Sequence, residues 1–147
     1  MWNPESIIID NLFAHKHSEY RFKNNRCTVI FGKNNTDRGM QNNGAGKTTL
    51  LEGIAIALTN ESLRDVKKDS FINREEEDCG VDFTLSNPVL KKKLRIVRKF
   101  YRGNKPVKIE LYENDKLNKQ VTSVAEANKR VFELIGISRE DLLRYFI

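Results

Sequence analysis

The chain has 147 residues, of which 39% are hydrophobic and 31% charged, and its mean hydropathy is −0.58. These values are typical of a soluble domain that can bury a core, and no apolar run approaches the roughly 18–20 residues of a membrane span. The first residues lack the pattern of a signal peptide, and Cys27 and Cys79 have no CxxC partner, so we expect one cytoplasmic or nucleoid-associated domain over residues 1–147, with reduced thiols.

The first predicted elements are strands. The β-branched run at 6–10, "SIIID", predicts a strand, and "NLFAHKHSEYRF" predicts a turn and a second strand. We interpret His15 and His17 as strand or turn residues and not as metal ligands, because no third ligand type lies nearby. "RCTVIF" at 26–31 predicts a buried strand that runs into a glycine-containing loop.

A helix is predicted from Thr48 to about Thr59, and its nearly all-round apolar character indicates a buried position. The polar stretch 63–79 predicts a loop or short helical turns. Three segments of alternating apolar residues follow and predict an antiparallel meander, centred on 81–85, 94–100 and 107–111. The capping box Ser-Val-Ala-Glu at 123–126 begins a helix that ends at Gly136, and Ser138 begins another. The chain stops within the apolar run "LLRYFI", so we expect a fragment of a longer protein.

The segment 32–49 carries most of a phosphate-binding loop, G-x-x-x-x-G-K-[ST]. Gly32 lies fourteen positions before Gly46 where the pattern requires five, and removal of nine residues, 35–43 or alternatively 33–41, restores it. We therefore predict a phosphate loop with an insertion. The insertion either forms a bulge that costs little entropy or folds Arg38 over the phosphates.

Each residue type in this loop suits phosphate chemistry. Glycines let backbone N–H groups converge on phosphate oxygens, and the following helix directs unpaired N–H groups and its positive dipole end toward the anion. Lys47 is suited to the β- and γ-phosphates, and the Thr48 hydroxyl is suited to Mg²⁺. The candidate phosphate-binding residues are Gly32, Lys33, Asn34, Asn43, Gly44, Ala45, Gly46, Lys47, Thr48 and Thr49.

Several motifs resemble the N-terminal ATPase head segment of the SMC-like DNA-repair ATPases, in particular the SbcC type. "IIIDNLFAHKH" is similar to the family's first strand and N-F-x-x-H turn, and "NGAGKTTLLEGIAIAL" is similar to its phosphate loop and helix. "LRDVKKDSFIN" resembles its basic segment after that helix, and "VFELIGISREDLLRYFI" resembles the stretch before its Q-loop. The resemblance covers nearly the whole chain.

This resemblance implies an α/β, P-loop NTPase fold: the N-terminal lobe of an ABC/SMC-type head, with a mixed, largely antiparallel sheet around the phosphate-loop helix. It implies ATP and Mg²⁺ as cofactors. The implied partners are a C-terminal lobe of the same protein, a second head that joins on ATP, DNA and a nuclease. The sequence has no LSGG and no hhhhDE motif, so we expect no catalytic residue and no ATPase turnover in this chain alone.

Two regions extend the list of candidate contacts. Phe13 stands where the family often has an Arg that contacts nucleotide, so His15 or Lys16 is a candidate substitute. The stretch 91–108 contains nine basic residues and no acid, and Lys91, Lys92 and Lys93 are candidate DNA contacts. The alternative is that these cations cover the solvated face of the meander and discourage edge pairing.

Two other functions stay open at the level of sequence. The first is a non-hydrolysing, nucleotide-gated binding or scaffold module. The second is a small-molecule kinase of the P-loop class, which the antiparallel segment after the first helix disfavours. A small GTPase is also disfavoured, since "NKQV" and "NKRV" both lack the Asp of the N-K-x-D motif.

Overall fold

The computed structural model describes residues 1–23, 47–64 and 66–145. Its sheet has six strands in the order β2-β1-β3-β4-β5-β6, and every neighbouring pair is antiparallel. The strands are β1 (Asn3–Leu12), β2 (His15–Arg21), β3 (Asp78–Asn87), β4 (Lys92–Tyr101), β5 (Lys108–Glu113) and β6 (Lys116–Leu117). The predicted first hairpin and the β3-β4-β5 meander are confirmed. The short β6 was not predicted, and the strand predicted at 26–31 lies outside the described residues.

Four helices lie within the described residues: α1 (Lys47–Thr59), α2 (Lys68–Phe71), α3 (Val124–Ile135) and α4 (Arg139–Tyr145). The capping box of α3 is confirmed, because Ser123 Oγ accepts from Glu126 N at 3.2 Å and Glu126 Oε2 accepts from Ser123 N at 3.0 Å. Gly136 ends α3 with a φ of 74°, the left-handed conformation that glycine adopts without strain. In the described part of the chain, no helix is both long and apolar enough to cross a membrane.

One face of the sheet forms the core, because alternate residues of each strand point to the same side. On β4 this alternation places Leu94, Ile96, Arg98 and Phe100 on the buried side. Helix α1 packs across β1, β3 and β4 on this face, and α3 packs against β5 and α1. The other core residues of the sheet are Ile7, Ile9, Leu12, Cys79, Val81, Phe83, Leu85 and Leu111.

The first and last parts of the described chain meet beside α1. Trp2 Nε1 donates to the carbonyl of Leu134 at 3.0 Å, which ties the start of the sheet to the end of α3. An apolar cavity of about 210 Å³ lies between these elements, and Ile54, Leu58 and Leu142 contribute to its walls. The predicted buried position of α1 is thus largely confirmed, although Leu51 is 44% exposed among the described residues.

Candidate functional site

The first turn of α1 carries three of the predicted phosphate-site residues. Lys47 is half-buried, Thr48 is exposed and Thr49 is buried against the core. The turn contains no acidic residue, so its side chains do not oppose the positive end of the helix dipole. A cation, an exposed hydroxyl and a helix N-terminus therefore lie at one point of the surface, which is the donor set that a phosphate group and its Mg²⁺ require.

The remaining loop predictions fall on residues that the structure does not describe. They concern the glycine loop and the insertion at 35–43. These residues are Gly32, Lys33, Asn34, Arg38, Asn43, Gly44, Ala45 and Gly46.

A buried carboxylate organises the chain that follows α1. Glu52 is fully buried, and its Oε2 accepts from Ser62 Oγ at 2.8 Å and from Leu63 N at 2.9 Å. Its Oε1 lies 3.0 Å from Arg64 Nε, an ion-pair distance, but has no donor in hydrogen-bond geometry. We rank the ion pair above the missing hydrogen bond, because attraction between charges depends on distance more than on angle. Glu52 thus holds residues 62–64 against the helix that begins at Lys47.

Arg64 connects this segment to the turn between β1 and β2. Its guanidinium carbon lies 4.8 Å from the centroid of the Phe13 ring, which is within the range of a cation–π contact. Phe13 has a φ of 51° and lines a cleft of about 400 Å³, together with Ile72, Asn73 and Arg74. The Phe13 turn, Arg64, Glu52 and α1 therefore form one continuous set of contacts that ends at a cleft.

Lys16 and His15, the candidate substitutes for an arginine contact, both have partners within the protein. Lys16 Nζ lies 2.7 Å from Glu75 Oε2, and both side chains are exposed. This hydrogen-bonded pair raises the pKa of Lys16 and lowers the pKa of Glu75. His15 Nδ1 lies 2.6 Å from the hydroxyl of Ser18. Lys16 adjoins the cleft through Glu75, which lines it, whereas His15 is engaged with its own strand.

The basic stretch 91–108 is partly neutralised by acids that lie elsewhere in the sequence. Arg95 forms a bidentate pair with Asp82, in which Nε and Nη2 donate at 2.9 and 2.6 Å. Lys93, Lys99 and Lys108 lie within 3.0, 3.3 and 3.1 Å of carboxylates on Asp115, Asp78 and Glu110. Lys91 and Lys92 are exposed at the β3–β4 turn.

Arg98 is not part of any basic surface. It is fully buried and donates through Nε to the carbonyl of Ala57 at 2.7 Å and through Nη2 to Asn128 Oδ1 at 2.6 Å. Burial lowers the pKa of Arg98 to about 9, so the guanidinium stays cationic at neutral pH. Its charge faces the C-terminal end of α1, where the helix dipole is negative.

Comparison with known proteins places the chain in a family. A model of the AAA domain, AAA_23, matches residues 6–147. The chain belongs to this AAA-domain family.

Relatives of known name agree with the resemblance seen in the sequence. The chain is 28% identical over 143 residues to a "DNA double-strand break repair Rad50 ATPase" of Methanopyrus kandleri, a match that covers 95% of this chain and 15% of that protein. It is 31% identical over 94 residues to a protein of the same description from Saccharolobus solfataricus, which covers 64% of the chain and 9% of that protein. It is 30% identical over 110 residues to the SbcC component of the nuclease SbcCD of Clostridium acetobutylicum, covering 69% and 9%. The chain thus spans less than a sixth of these relatives' lengths.

Solved structures show the same fold. Two structures of the recombination mediator protein RecF, RecF-ATPrS and RecF-ATP, superimpose with a TM-score of 0.56 over 80% of this chain. They share 23% and 21% sequence identity and are covered over 28% and 29% of their lengths. The predicted fold class, a P-loop ATPase of the ABC/SMC type, and the resemblance to the SMC-like repair ATPases are confirmed.

Sequence reasoning missed two structural supports of the AAA-domain helix α1, although each left a signal. Glu52 is the one charged residue between Thr48 and Thr59, and an acid in so apolar a helix needs buried partners. Arg98 occupies a core-facing position in the alternation of β4, where a cation needs acceptors. Neither signal named the partner, because both partners come from distant segments.

Proposed function

We propose that this chain is the nucleotide-phosphate-binding part of an ATPase head that acts in DNA double-strand-break repair or recombination. The observation that carries the proposal is the first turn of α1, where Lys47 and Thr48 stand together at an acid-free helix N-terminus within an AAA domain. Lys47 binds the β- and γ-phosphates of ATP, and Thr48 supplies a hydroxyl ligand to Mg²⁺. The bound Mg²⁺ neutralises phosphate charge when present.

The remaining partners follow from the same proposal. The assembly is completed by a C-terminal lobe, a second head and a nuclease, since this sequence contains neither the LSGG nor the hhhhDE motif. The names of the Rad50 and SbcC relatives support a role on broken DNA. We further propose that Lys91 and Lys92 contact DNA phosphates, with Lys93 a weaker contact because Asp115 lies 3.0 Å from it.

Equilibrium binding of Mg-ATP tests the assignment of Lys47. Lys47→Ala should weaken binding by about 10- to 100-fold, because a charge-assisted contact contributes ~1.5–3 kcal/mol. Thr48→Ala should make binding less dependent on Mg²⁺. Lys129→Ala, which removes an exposed lysine from α3, is the matched control and should bind as the unaltered chain does.

Turnover measured in the same samples separates binding from hydrolysis. We expect the chain to bind ATP with little hydrolysis. Equal binding by Lys47→Ala and Lys129→Ala would refute the phosphate site, and rapid turnover by this chain alone would refute the division of labour between the two lobes.

A further inference from the structure

The C-terminal end of α1 is closed almost entirely by side chains from other elements. A helix leaves its last four carbonyls without partners inside the helix. Here the carbonyl of Ile56 accepts from Asn60 N at 2.9 Å, which is the only local partner among the described residues. The carbonyls of Ala57 and Leu58 accept from Arg98 at 2.7 and 3.5 Å, and that of Thr59 accepts from Asn128 Nδ2 at 3.1 Å.

Arg98 and Asn128 are themselves joined. Nη2 of Arg98 donates to Asn128 Oδ1 at 2.6 Å, so the Asn128 amide contacts the guanidinium through its oxygen and α1 through its nitrogen. Arg98 Nη1 also donates to Asn60 Oδ1 at 3.2 Å. In the part of the chain that the structure describes, no carboxylate pairs with Arg98. Its charge is therefore balanced by carbonyl and amide oxygens, which makes those oxygens costly to lose.

Helix α1 rests closely on the sheet at one point. A Cβ added to Gly53 would lie 2.8 Å from Cδ1 of Ile9 and 3.1 Å from Cδ1 of Ile7, so no larger residue fits without a shift. At a rise of ~1.5 Å per residue, this contact lies about 6 Å from Ala57 and about 9 Å from Lys47 along the helix. A tilt that moves Ala57 by about 1 Å would therefore move Lys47 by about 1.5 Å.

We propose that Arg98 and Asn128 are positioning residues that form a latch between α3 and the end of α1, and that this latch sets nucleotide affinity at Lys47. The proposal rests on the proposed function of the α1 N-terminus. Closure of the latch holds α1 at the tilt that presents Lys47 and Thr48 to phosphate. Movement of α3 away from α1 opens it, so α3 reports to the nucleotide site and nucleotide reports to α3.

Helix α3 has a second, independent tie that provides a matched control. Arg130 donates to both carboxylate oxygens of Glu113 on β5, at 2.9 and 2.8 Å. Asn128 and Arg130 lie two residues apart, and each fixes α3 by its side chain. Only Asn128 reaches α1, whereas Arg130 reaches the sheet.

The test compares Asn128→Ala with Arg130→Ala in the 147-residue chain. Mg-ATP affinity is measured at a temperature at which circular dichroism shows both variants fully folded. Asn128→Ala should weaken ATP binding by about tenfold, and Arg130→Ala should stay within about twofold. Hydrogen exchange supplies the reciprocal readout: ATP should slow exchange across α3 in the unaltered chain and in Arg130→Ala, but not in Asn128→Ala.

Substitutions at Arg98 give a second comparison. Arg98→Lys keeps a buried cation and one donor direction, so it should retain more ATP affinity than Arg98→Met at equal folded fraction. The latch is refuted if both α3 variants bind ATP equally well, or if affinity follows thermal stability irrespective of which tie is removed. If the unaltered chain itself fails to bind ATP, the proposed function fails, and that outcome is distinct from a latch that does not couple.

Discussion

Glu52 is a single buried carboxylate that holds the chain leaving α1. Its Oε2 accepts from Ser62 and Leu63, and Arg64 pairs with the other oxygen. Replacement by alanine would leave the Leu63 N–H without its acceptor and create a cavity. We expect Glu52→Ala to lower the free energy of unfolding by about 2–3 kcal/mol, the usual cost of orphaning buried polar groups.

Denaturant unfolding measures this effect, with Glu61→Ala as the control. Glu61 pairs with Arg139 on the surface, where a single ion pair contributes about 1 kcal/mol or less. Glu52→Gln keeps an acceptor for Ser62 and Leu63, so it should lose less stability than Glu52→Ala. Equal losses at positions 52 and 61 would show that Glu52 organises nothing.

Between elements, the contact of α1 with β1 depends on Gly53. Alanine at this position would gain ~1 kcal/mol in helix propensity, but overpacking in a filled core costs ~1–3 kcal/mol. We therefore expect Gly53→Ala to be neutral or destabilising, although glycine is a poor helix former. The atom in the way is Cδ1 of Ile9, at 2.8 Å from the added Cβ.

Shortening Ile9 tests this explanation, since Ile9→Val removes that Cδ1. Ile9→Val alone should cost ~0.5–1.5 kcal/mol, and the double variant should be about 1 kcal/mol more stable than the sum of the two single changes. Ile96→Val, a buried residue of β4, should combine additively with Gly53→Ala. If the two isoleucines behave alike in thermal or denaturant unfolding, the close approach does not involve Ile9.

The elements of this chain could be predicted where local patterns dominate. The α3 capping box and Gly136 gave both ends of that helix, because each cap is formed by residues within a few positions of one another. Alternation gave β3, β4 and β5 for the same reason. The order of the strands could not be obtained in this way, since β1 and β3 pair across a long stretch of intervening chain and this pairing leaves no local signal.

The candidate site divides along the same line. Lys47 and Thr48 were identified by a contiguous motif, and the structure describes both at the start of α1. The supports of α1 depend on side chains that meet across the fold, such as Arg98 with Asn128, 30 residues apart. A sequence pattern can indicate that a buried cation needs acceptors, but only tertiary structure names them.

For the molecule as a whole, a run of basic residues does not make a basic surface. Residues 91–108 contain no acid in the sequence, yet the antiparallel register places Asp82 beside Arg95 and Asp78 beside Lys99. The net charge of +6 is therefore not concentrated along β4. The cations without a carboxylate partner in the described structure lie at the β3–β4 turn, at Lys91 and Lys92, and they define where a DNA phosphate backbone would be met.

The salt dependence of duplex DNA binding tests this location. Each phosphate contact releases counterions and adds ~0.9 to the slope of log K against log salt concentration, so Lys91→Gln/Lys92→Gln should reduce the magnitude of that slope by about 2. The control is Lys99→Gln/Lys108→Gln, which removes the same net charge from lysines already paired with Asp78 and Glu110. A general loss of electrostatic attraction would alter both pairs equally, whereas a localised interface alters only the first. An unchanged slope in Lys91→Gln/Lys92→Gln would remove the β3–β4 turn from the DNA interface, while Mg-ATP binding by the same protein would show that its nucleotide site is intact.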